Sequence, residues 1–138
     1  MSKILVDSNI ILDILTEDPV WLGWSTKMLS HYVKTHDLVI NPIIYAEISV
    51  GFQTMTEFES VMKVTGLLKE ALPYKAAFIA GKAFRDYRKR GGIRHSPLPD
   101  FYIGAHASIA EYQLITRDYK RYQTYFSDVE LIYPQEES

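Results

Sequence analysis

Four acidic residues stand where apolar segments of the sequence begin or end. Asp7 lies in KILVDSNIILDIL, Glu47 in NPIIYAEISVG, Asp100 in SPLPDFYIGAHASIAEY and Asp118 in YQLITRDYKRY. If a fold gathers them, their like charges raise one another's pKa, and a bound cation removes that repulsion. Hard divalent cations such as Mg²⁺ and Mn²⁺ prefer such oxygen ligands. A metal held there can polarise a phosphoryl oxygen and activate a water molecule.

Each of these acids also has an ordinary interpretation. An Asp after a strand is commonly a helix cap or turn residue, and Asp100 in a first helical turn complements the helix dipole. Glu47 alone could be a solvated helix residue, although its neighbours Ile43, Ile44 and Ile48 indicate a mostly buried helix. The metal-site hypothesis therefore depends on all four acids occurring in one chain.

Short apolar strands that alternate with helices would have to position these acids. We predict buried strands at residues 3–6, 38–40, 114–116 and 129–133, and a weak strand or loop at 67–72. Helices are predicted at about 10–15, 21–34, 42–51, 56–64, 74–90 and 99–110, the third of them capped by Asn41 and starting at Pro42. This alternation predicts an α/β fold, a three-layer α/β/α sandwich with a mainly parallel central sheet. In such sheets, sites form beyond the carboxyl ends of the strands.

The composition limits the class of protein. The 138 residues, 47% of them hydrophobic and 23% charged, predict a single soluble globular domain over residues 1–138, with a polar tail from about 134. Cysteine is absent, which excludes disulfides and thiolate metal sites. No apolar run approaches the ~20 residues of a membrane span, and the first residues do not form a signal peptide. We therefore expect a cytoplasmic protein without a membrane partner.

One segment is strongly basic, although the net charge is −2. Residues 82–95, KAFRDYRKRGGIRH, contain the candidate RNA-binding residues Arg85, Arg88, Lys89 and Arg94. Clusters of this kind bind phosphate backbones, and a neighbouring Tyr can stack on a base. The alternative is a solvated helix end, where cations complement the dipole.

The acidic segments resemble the motifs of PIN-domain ribonucleases, specifically the VapC-type toxins of type II toxin–antitoxin systems. VDSNIILDIL resembles the family's opening motif, IIYAEISVG its second, and LPDFYIGAHASIAEYQLITRDYKRY its third and fourth. The resemblance covers nearly the whole chain. It implies that Asp7, Glu47, Asp100 and Asp118 are catalytic metal ligands, and that Asn9 and Thr116 are polar groups that support them or position water.

The resemblance also implies a function. It indicates a Mg²⁺- or Mn²⁺-dependent endoribonuclease, the toxin of a toxin–antitoxin pair, that cleaves RNA by a metal-activated water. A cognate antitoxin and a homodimer are the expected partners. The alternatives are a non-toxin PIN nuclease in RNA processing, a phosphate-ester hydrolase that uses the same acidic site, and a non-catalytic RNA-binding PIN module. The segment DSNIILD lacks the D-x-D arrangement of aspartate-nucleophile phosphatases, because Asn9 stands in place of the second Asp.

Three further expectations concern residues near these motifs. Ser8 or Asn9 is expected to cap the first helix. Asp13 is expected to be a solvated helix residue, and His106 to have a structural role.

Overall fold

A five-stranded parallel sheet organises the chain. A computed structural model describes residues 1–91 and 98–135. The strands are β1 (Lys3–Val6), β2 (Asp37–Ile40), β3 (Leu68–Lys69), β4 (Gln113–Ile115) and β5 (Leu131–Ile132). They pair in the order β3-β2-β1-β4-β5, and every neighbouring pair is parallel. The weak strand expected at 67–72 is the two-residue edge strand β3.

Helices connect the strands, and each motif acid lies within a helix or directly before one. They are α1 (Ser8–Leu15), α2 (Leu22–Tyr32), α3 (Pro42–Ser49), α4 (Met55–Thr65), α5 (Tyr74–Lys89), α6 (Leu98–Ala110) and α7 (Tyr119–Tyr125). Asn41 caps α3 with its side-chain oxygen, and Pro42 occupies the first helical turn, where a missing N–H costs nothing. Within the described residues, no helix is both long and apolar enough to cross a membrane.

The central strand is buried on both of its faces. Ile4, Leu5 and Val6 are consecutive, so their side chains alternate between the two faces, and all three are fully buried. A strand buried in this way needs helices on each side of the sheet. The predicted α/β fold with a mainly parallel sheet is therefore confirmed.

The strand order reverses between β1 and β4. The chain moves outwards from β1 through β2 to β3, then returns to place β4 on the other side of β1. Leu5 pairs with Leu114 and Val6 with Ile115, so the two strands end side by side. Ligand sites in open α/β sheets form at such a reversal, beyond the carboxyl ends of the strands. Asp7 follows β1 there, and Thr116 follows β4.

Asp7, rather than Ser8 or Asn9, caps α1. The helix starts directly after the strand, so the residue that ends the strand has the extended backbone of a cap, with φ −65° and ψ 151°. Its carboxylate accepts a hydrogen bond from the Ser8 backbone N–H at 2.8 Å. The prediction that Ser8 or Asn9 caps the helix was wrong, because no loop follows β1 and Ser8 is already the first helical residue.

Candidate active site

The carboxylate of Asp7 is the buried centre of a hydrogen-bond network. Asp7 is 2% exposed. Its Oδ2 accepts hydrogen bonds from Thr116 Oγ1 at 2.8 Å, Tyr122 OH at 3.0 Å and Asn9 Nδ2 at 3.4 Å. Its Oδ1 accepts from the Ser8 N–H. These donors fix the orientation of the carboxylate and favour its ionised form.

Thr116 joins the end of β4 to the same network. Its hydroxyl donates to Asp7 and accepts from the backbone N–H of Asp118 at 3.0 Å. Asn9 Nδ2 also lies 3.3 Å from Thr116 Oγ1, and Asn9 Oδ1 accepts from the backbone of Arg117. Asn9 and Thr116 therefore fix the turn that carries Asp118. The side chain of Asp118 makes no capping hydrogen bond to α7, and the residue is exposed.

Glu47 reaches the network through Ser8. The Ser8 hydroxyl donates to Glu47 Oε1 at 2.9 Å and lies 3.5 Å from Asp7 Oδ1. Glu47 projects from α3, whose start is held because Asn41 Oδ1 accepts from the N–H groups of Ile43 and Ile44, each at 3.0 Å. The Ser8 hydroxyl thus lies between two carboxylates, and its partner Glu47 is 39 positions away from Ser8 in the sequence.

Asp100 lies in the first turn of α6 and pairs with a cation. Arg121 Nη1 donates to Asp100 Oδ2 at 2.6 Å, and both side chains are partly buried. Arg121 belongs to α7, so the ion pair connects the helix that carries Asp100 with the helix that follows Asp118.

A buried histidine aligns the helices that carry Glu47 and Asp100. His106 on α6 is 1% exposed, and its Nδ1 lies 3.0 Å from Asn41 Nδ2. Because Asn41 Oδ1 accepts from backbone, its Nδ2 donates to Nδ1, which puts the imidazole proton on Nε2, facing Glu70 Oε2 at 3.5 Å. This geometry gives His106 a structural role, as expected.

Burial and mutual repulsion raise the pKa of three of the four acids. Burial, followed by the charge of Asp100, raises the pKa of Asp7 to about 7. Burial raises the pKa of Glu47, and Asp100 adds to the effect. Burial also raises the pKa of Asp100 despite Arg121, and the charge of Asp118 contributes. Each of the four candidate acids therefore interacts electrostatically with at least one other, and Asp100 interacts with all three.

The residue types at this site suit a divalent cation, but the side chains are not preassembled around one. All four candidate metal ligands are carboxylates, whose oxygen atoms Mg²⁺ and Mn²⁺ prefer. Among residues 1–91 and 98–135, no three Asp, Glu, His or Cys side chains are arranged to hold a metal ion as they stand. Hydrogen-bond donors occupy both oxygens of Asp7, and Arg121 occupies Asp100. A cation would have to compete with Arg121.

Sequence reasoning missed two residues of the site, Tyr122 and Arg121. Tyr122 is 1% exposed, and burial and the charge of Asp7 raise its pKa well above the usual range of a tyrosine. It therefore donates to Asp7 as a neutral hydroxyl. The only sequence signal was their place one short turn after Asp118, in RDYKRY.

The expectation that Asp13 is solvated was wrong. Asp13 is 2% exposed. Its oxygens accept from Arg117 Nε at 2.7 Å and Arg117 Nη2 at 2.8 Å, and Ser25 Oγ donates at 2.7 Å. Arg117 also lies over the ring of Trp21. Asp13 therefore holds the turn between Thr116 and Asp118 from the side of α1.

Three of the four predicted RNA-binding residues lie on the last turns of α5. Arg85, Arg88 and Lys89 are exposed there. Arg94 lies outside the described residues. Arg90, the C-cap of α5, lies over the ring of Tyr125 in α7, with 5.5 Å from the guanidinium carbon to the ring centroid. The basic end of α5 is therefore in contact with the helix that carries Arg121.

Solved toxin–antitoxin structures contain chains with this fold. A chain of VapBC2 from Rickettsia felis, bound to a DNA fragment from their promoter, superposes with a TM-score of 0.74 at 18% identity, over 96% of this chain and 99% of that one. A chain of VapBC-1 from nontypeable Haemophilus influenzae gives 0.71 at 21% identity, over 95% and 97%. A chain of a toxin–antitoxin complex from Klebsiella pneumoniae gives 0.67 at 20%, over 96% and 98%.

The chain has the fold of a VapC-type PIN domain. The sequence matches no protein-family model, and no curated protein sequence matches it. At 16–21% identity, the likeness to these VapBC and toxin–antitoxin structures concerns the fold alone. What the VapC-type fold of this chain does must be argued from its own side chains.

Proposed function

We propose that this chain is a divalent-metal-dependent endoribonuclease that acts as the toxin of a toxin–antitoxin pair. One observation carries the proposal: four carboxylates from separate motifs interact at the strand-order reversal, and the most buried of them, Asp7, has a pKa near 7. Such a concentration of charge is unfavourable in the folded protein alone. Perturbed carboxylates of this kind concentrate at functional sites.

Asp7, Glu47, Asp100 and Asp118 would hold Mg²⁺ or Mn²⁺. A bound divalent cation would neutralise these carboxylates and supply Lewis-acid activation of a phosphodiester and a water molecule. The hydroxyls of Thr116 and Tyr122, with the amide of Asn9, hold Asp7 in one orientation. Ser8 does the same for Glu47.

Arg121 has a second part in the proposed reaction. Its guanidinium neutralises Asp100 in the structure described here. With Asp100 engaged as a metal ligand, Arg121 would be free to donate hydrogen bonds to a phosphate oxygen, which guanidinium groups bind well. The exposed Arg85, Arg88 and Lys89 on α5, together with Arg94, would hold the RNA backbone beyond the cleaved bond.

A cognate antitoxin is the proposed partner. The neighbours with this fold were solved as VapBC or toxin–antitoxin assemblies. In this chain, the pairing of Arg121 with Asp100 illustrates how a guanidinium can be accommodated among the carboxylates. An antitoxin Arg could enter in the same way and exclude the metal. We also propose a homodimer, and a cytoplasmic location stays a prediction.

Cleavage by the purified chain tests the nuclease. We expect single-stranded RNA to be cut with Mn²⁺ or Mg²⁺, to leave 5′-phosphate and 3′-hydroxyl ends, and to remain intact in EDTA. Asp7→Asn should abolish cleavage. Asp86→Asn, which removes an exposed acid from α5, is the matched control and should cut normally. Full activity of metal-free protein in EDTA would contradict the proposal.

Expression tests the toxin assignment separately from the nuclease. Induction of the wild-type chain should slow growth, induction of Asp7→Asn should not, and co-expression of the cognate antitoxin should restore growth. If wild-type and Asp7→Asn cultures grow identically while the purified protein cleaves RNA, the chain is a PIN nuclease of RNA processing rather than a toxin.

A further inference from the structure

An open depression lies between the end of α5 and α7. Its volume is about 380 Å³, and its walls include Tyr87 and Arg90 from the α5 side and Lys120, Arg121 and Tyr125 from α7. Three cationic side chains therefore face a single small volume. Among the described residues, no acidic side chain lines it.

Each of the two aromatic rings in the wall of this depression has a guanidinium group beside it. Arg90 lies over Tyr125, and Arg121 lies 5.9 Å from the centroid of Tyr87. The rings of Tyr87 and Tyr125 are themselves 6.2 Å apart. Planar guanidinium and aromatic groups are the surfaces on which unpaired RNA bases stack.

The depression adjoins the candidate active site through one residue. Arg121 lines the depression and also donates to Asp100. A chain of phosphates that approached the carboxylates would be repelled by them, so a strand bound at the site needs cations directly beside it. Arg90, Lys120 and Arg121 supply positive charge at that place.

We infer that this depression binds one nucleotide of single-stranded RNA next to the cleaved bond. Lys120 and Arg90 bind its phosphate, and the stack of Arg90 on Tyr125 receives its base. The inference rests on the proposed function for the identity of the ligand. It adds α7 to the RNA surface, which the sequence had placed on α5 and the segment after it.

RNA binding without cleavage tests this inference. A short labelled oligouridylate is titrated in EDTA at a series of salt concentrations, and fluorescence anisotropy gives the Kd. The variants are Arg90→Ala/Lys120→Ala, Lys120→Ala alone, and the control Lys34→Ala/Lys63→Ala, which removes the same charge from exposed positions of the α2–β2 loop and α4. Melting temperatures confirm that each variant is folded.

We expect the double variant to bind more weakly and to lose part of its salt dependence. The slope of log Kd against log salt should fall by about 0.7, since Arg90 and Lys120 together neutralise one phosphate and each phosphate neutralised on a single strand contributes about 0.7. Lys120→Ala alone should lower the slope by less than the double variant does, because Arg90 still contacts the same phosphate. The control should retain the wild-type slope.

Three results would overturn the inference. The first is a wild-type slope in the double variant, and the second is an equal fall in the Lys34/Lys63 control. The third is a preference for a labelled hexaglutamate peptide over the oligouridylate, which would assign the depression to an acidic protein segment. The binding assay is carried out in EDTA and does not depend on a metal. A failure of the nuclease proposal would therefore show in the cleavage assay and not in this binding assay.

Discussion

Asp7 experiences two opposing influences at the residue scale. Its hydrogen bonds to Ser8, Thr116 and Tyr122 favour the carboxylate, whereas burial and the charge of Asp100 favour the protonated acid. Burial and the charge of Asp100 outweigh the hydrogen bonds, so the pKa of Asp7 is raised from its usual 3.8 to about 7. The protein therefore has a charge that it stabilises poorly unless a cation is present.

This balance predicts that Asp7→Asn stabilises the metal-free protein above pH 7. Because the folded pKa is raised, the stabilising contribution of Asp7 is complete below its unfolded pKa of 3.8 and is lost as the pH rises through about 7. Asparagine stays neutral throughout. Urea unfolding in EDTA should show the advantage of the variant growing by about 2–3 kcal/mol from pH 5 to pH 8. An advantage that does not change with pH would contradict the raised pKa.

The hydrogen bond from Tyr122 to Asp7 leads to a prediction about the pH dependence of activity. Its hydrogen bond lowers the pKa of Asp7, so Tyr122→Phe should raise that pKa further. The acid limb of the pH–activity profile should then move to higher pH, with a stability loss of about 1 kcal/mol from the lost hydrogen bond. Tyr119→Phe, on the same helix but outside the hydrogen bonds of Asp7, is the control. An unmoved limb in Tyr122→Phe would remove Tyr122 from the proposed mechanism.

At the scale of elements, the packing of α6 against the end of α7 places Asp100 beside Arg121. Gly104 of α6 allows this approach, because a Cβ built there would collide with the ring of Phe126. Phe126 directly follows α7 and is buried. Its ring therefore cannot move aside without disturbing the core.

The contact predicts opposite effects for two glycine-to-alanine changes. Gly104→Ala should destabilise the protein by about 1–3 kcal/mol, because the methyl group overpacks the core against Phe126. Gly81→Ala, in the interior of α5 with nothing within 4 Å of its added methyl, should be neutral or stabilise by up to about 1 kcal/mol. Chemical unfolding measures both. Equal effects at the two sites would show that Phe126 does not restrict α6.

The sequence predicted elements whose causes are local. Apolar runs gave β1, β2 and β4, and the Asn-Pro pair gave the start of α3. It did not reveal contacts made by residues far apart in the chain. In the sequence, Asp13 resembles any polar helix residue, because its ion-pair partner, Arg117, lies 104 positions later. Tyr122 likewise gains its role only from Asp7, 115 positions earlier.

At the scale of the whole molecule, the strand order turns scattered motifs into one site. Thr116, which holds the backbone of Asp118, reaches Asp7 because β1 and β4 are neighbours, and that pairing depends on the return of the chain across the sheet. The sequence predicted a parallel sheet and a site at its carboxyl edge, but the strand order came only from the structure. The same order lets α3 and α6 bring Glu47 and Asp100 to the crevice.

The central claim is that these four carboxylates act together as one site for a divalent cation. Calorimetric titration of Mn²⁺ into the wild type and into Asp7→Asn, Glu47→Gln, Asp100→Asn and Asp118→Asn tests it most directly, with Asp86→Asn as the control. We predict binding to the wild type and the control, and a loss of more than about tenfold in each of the four variants, because even the partners of metal ligands contribute that much. A wild type that binds no Mn²⁺, or four variants that bind it as well as the control does, would contradict the account.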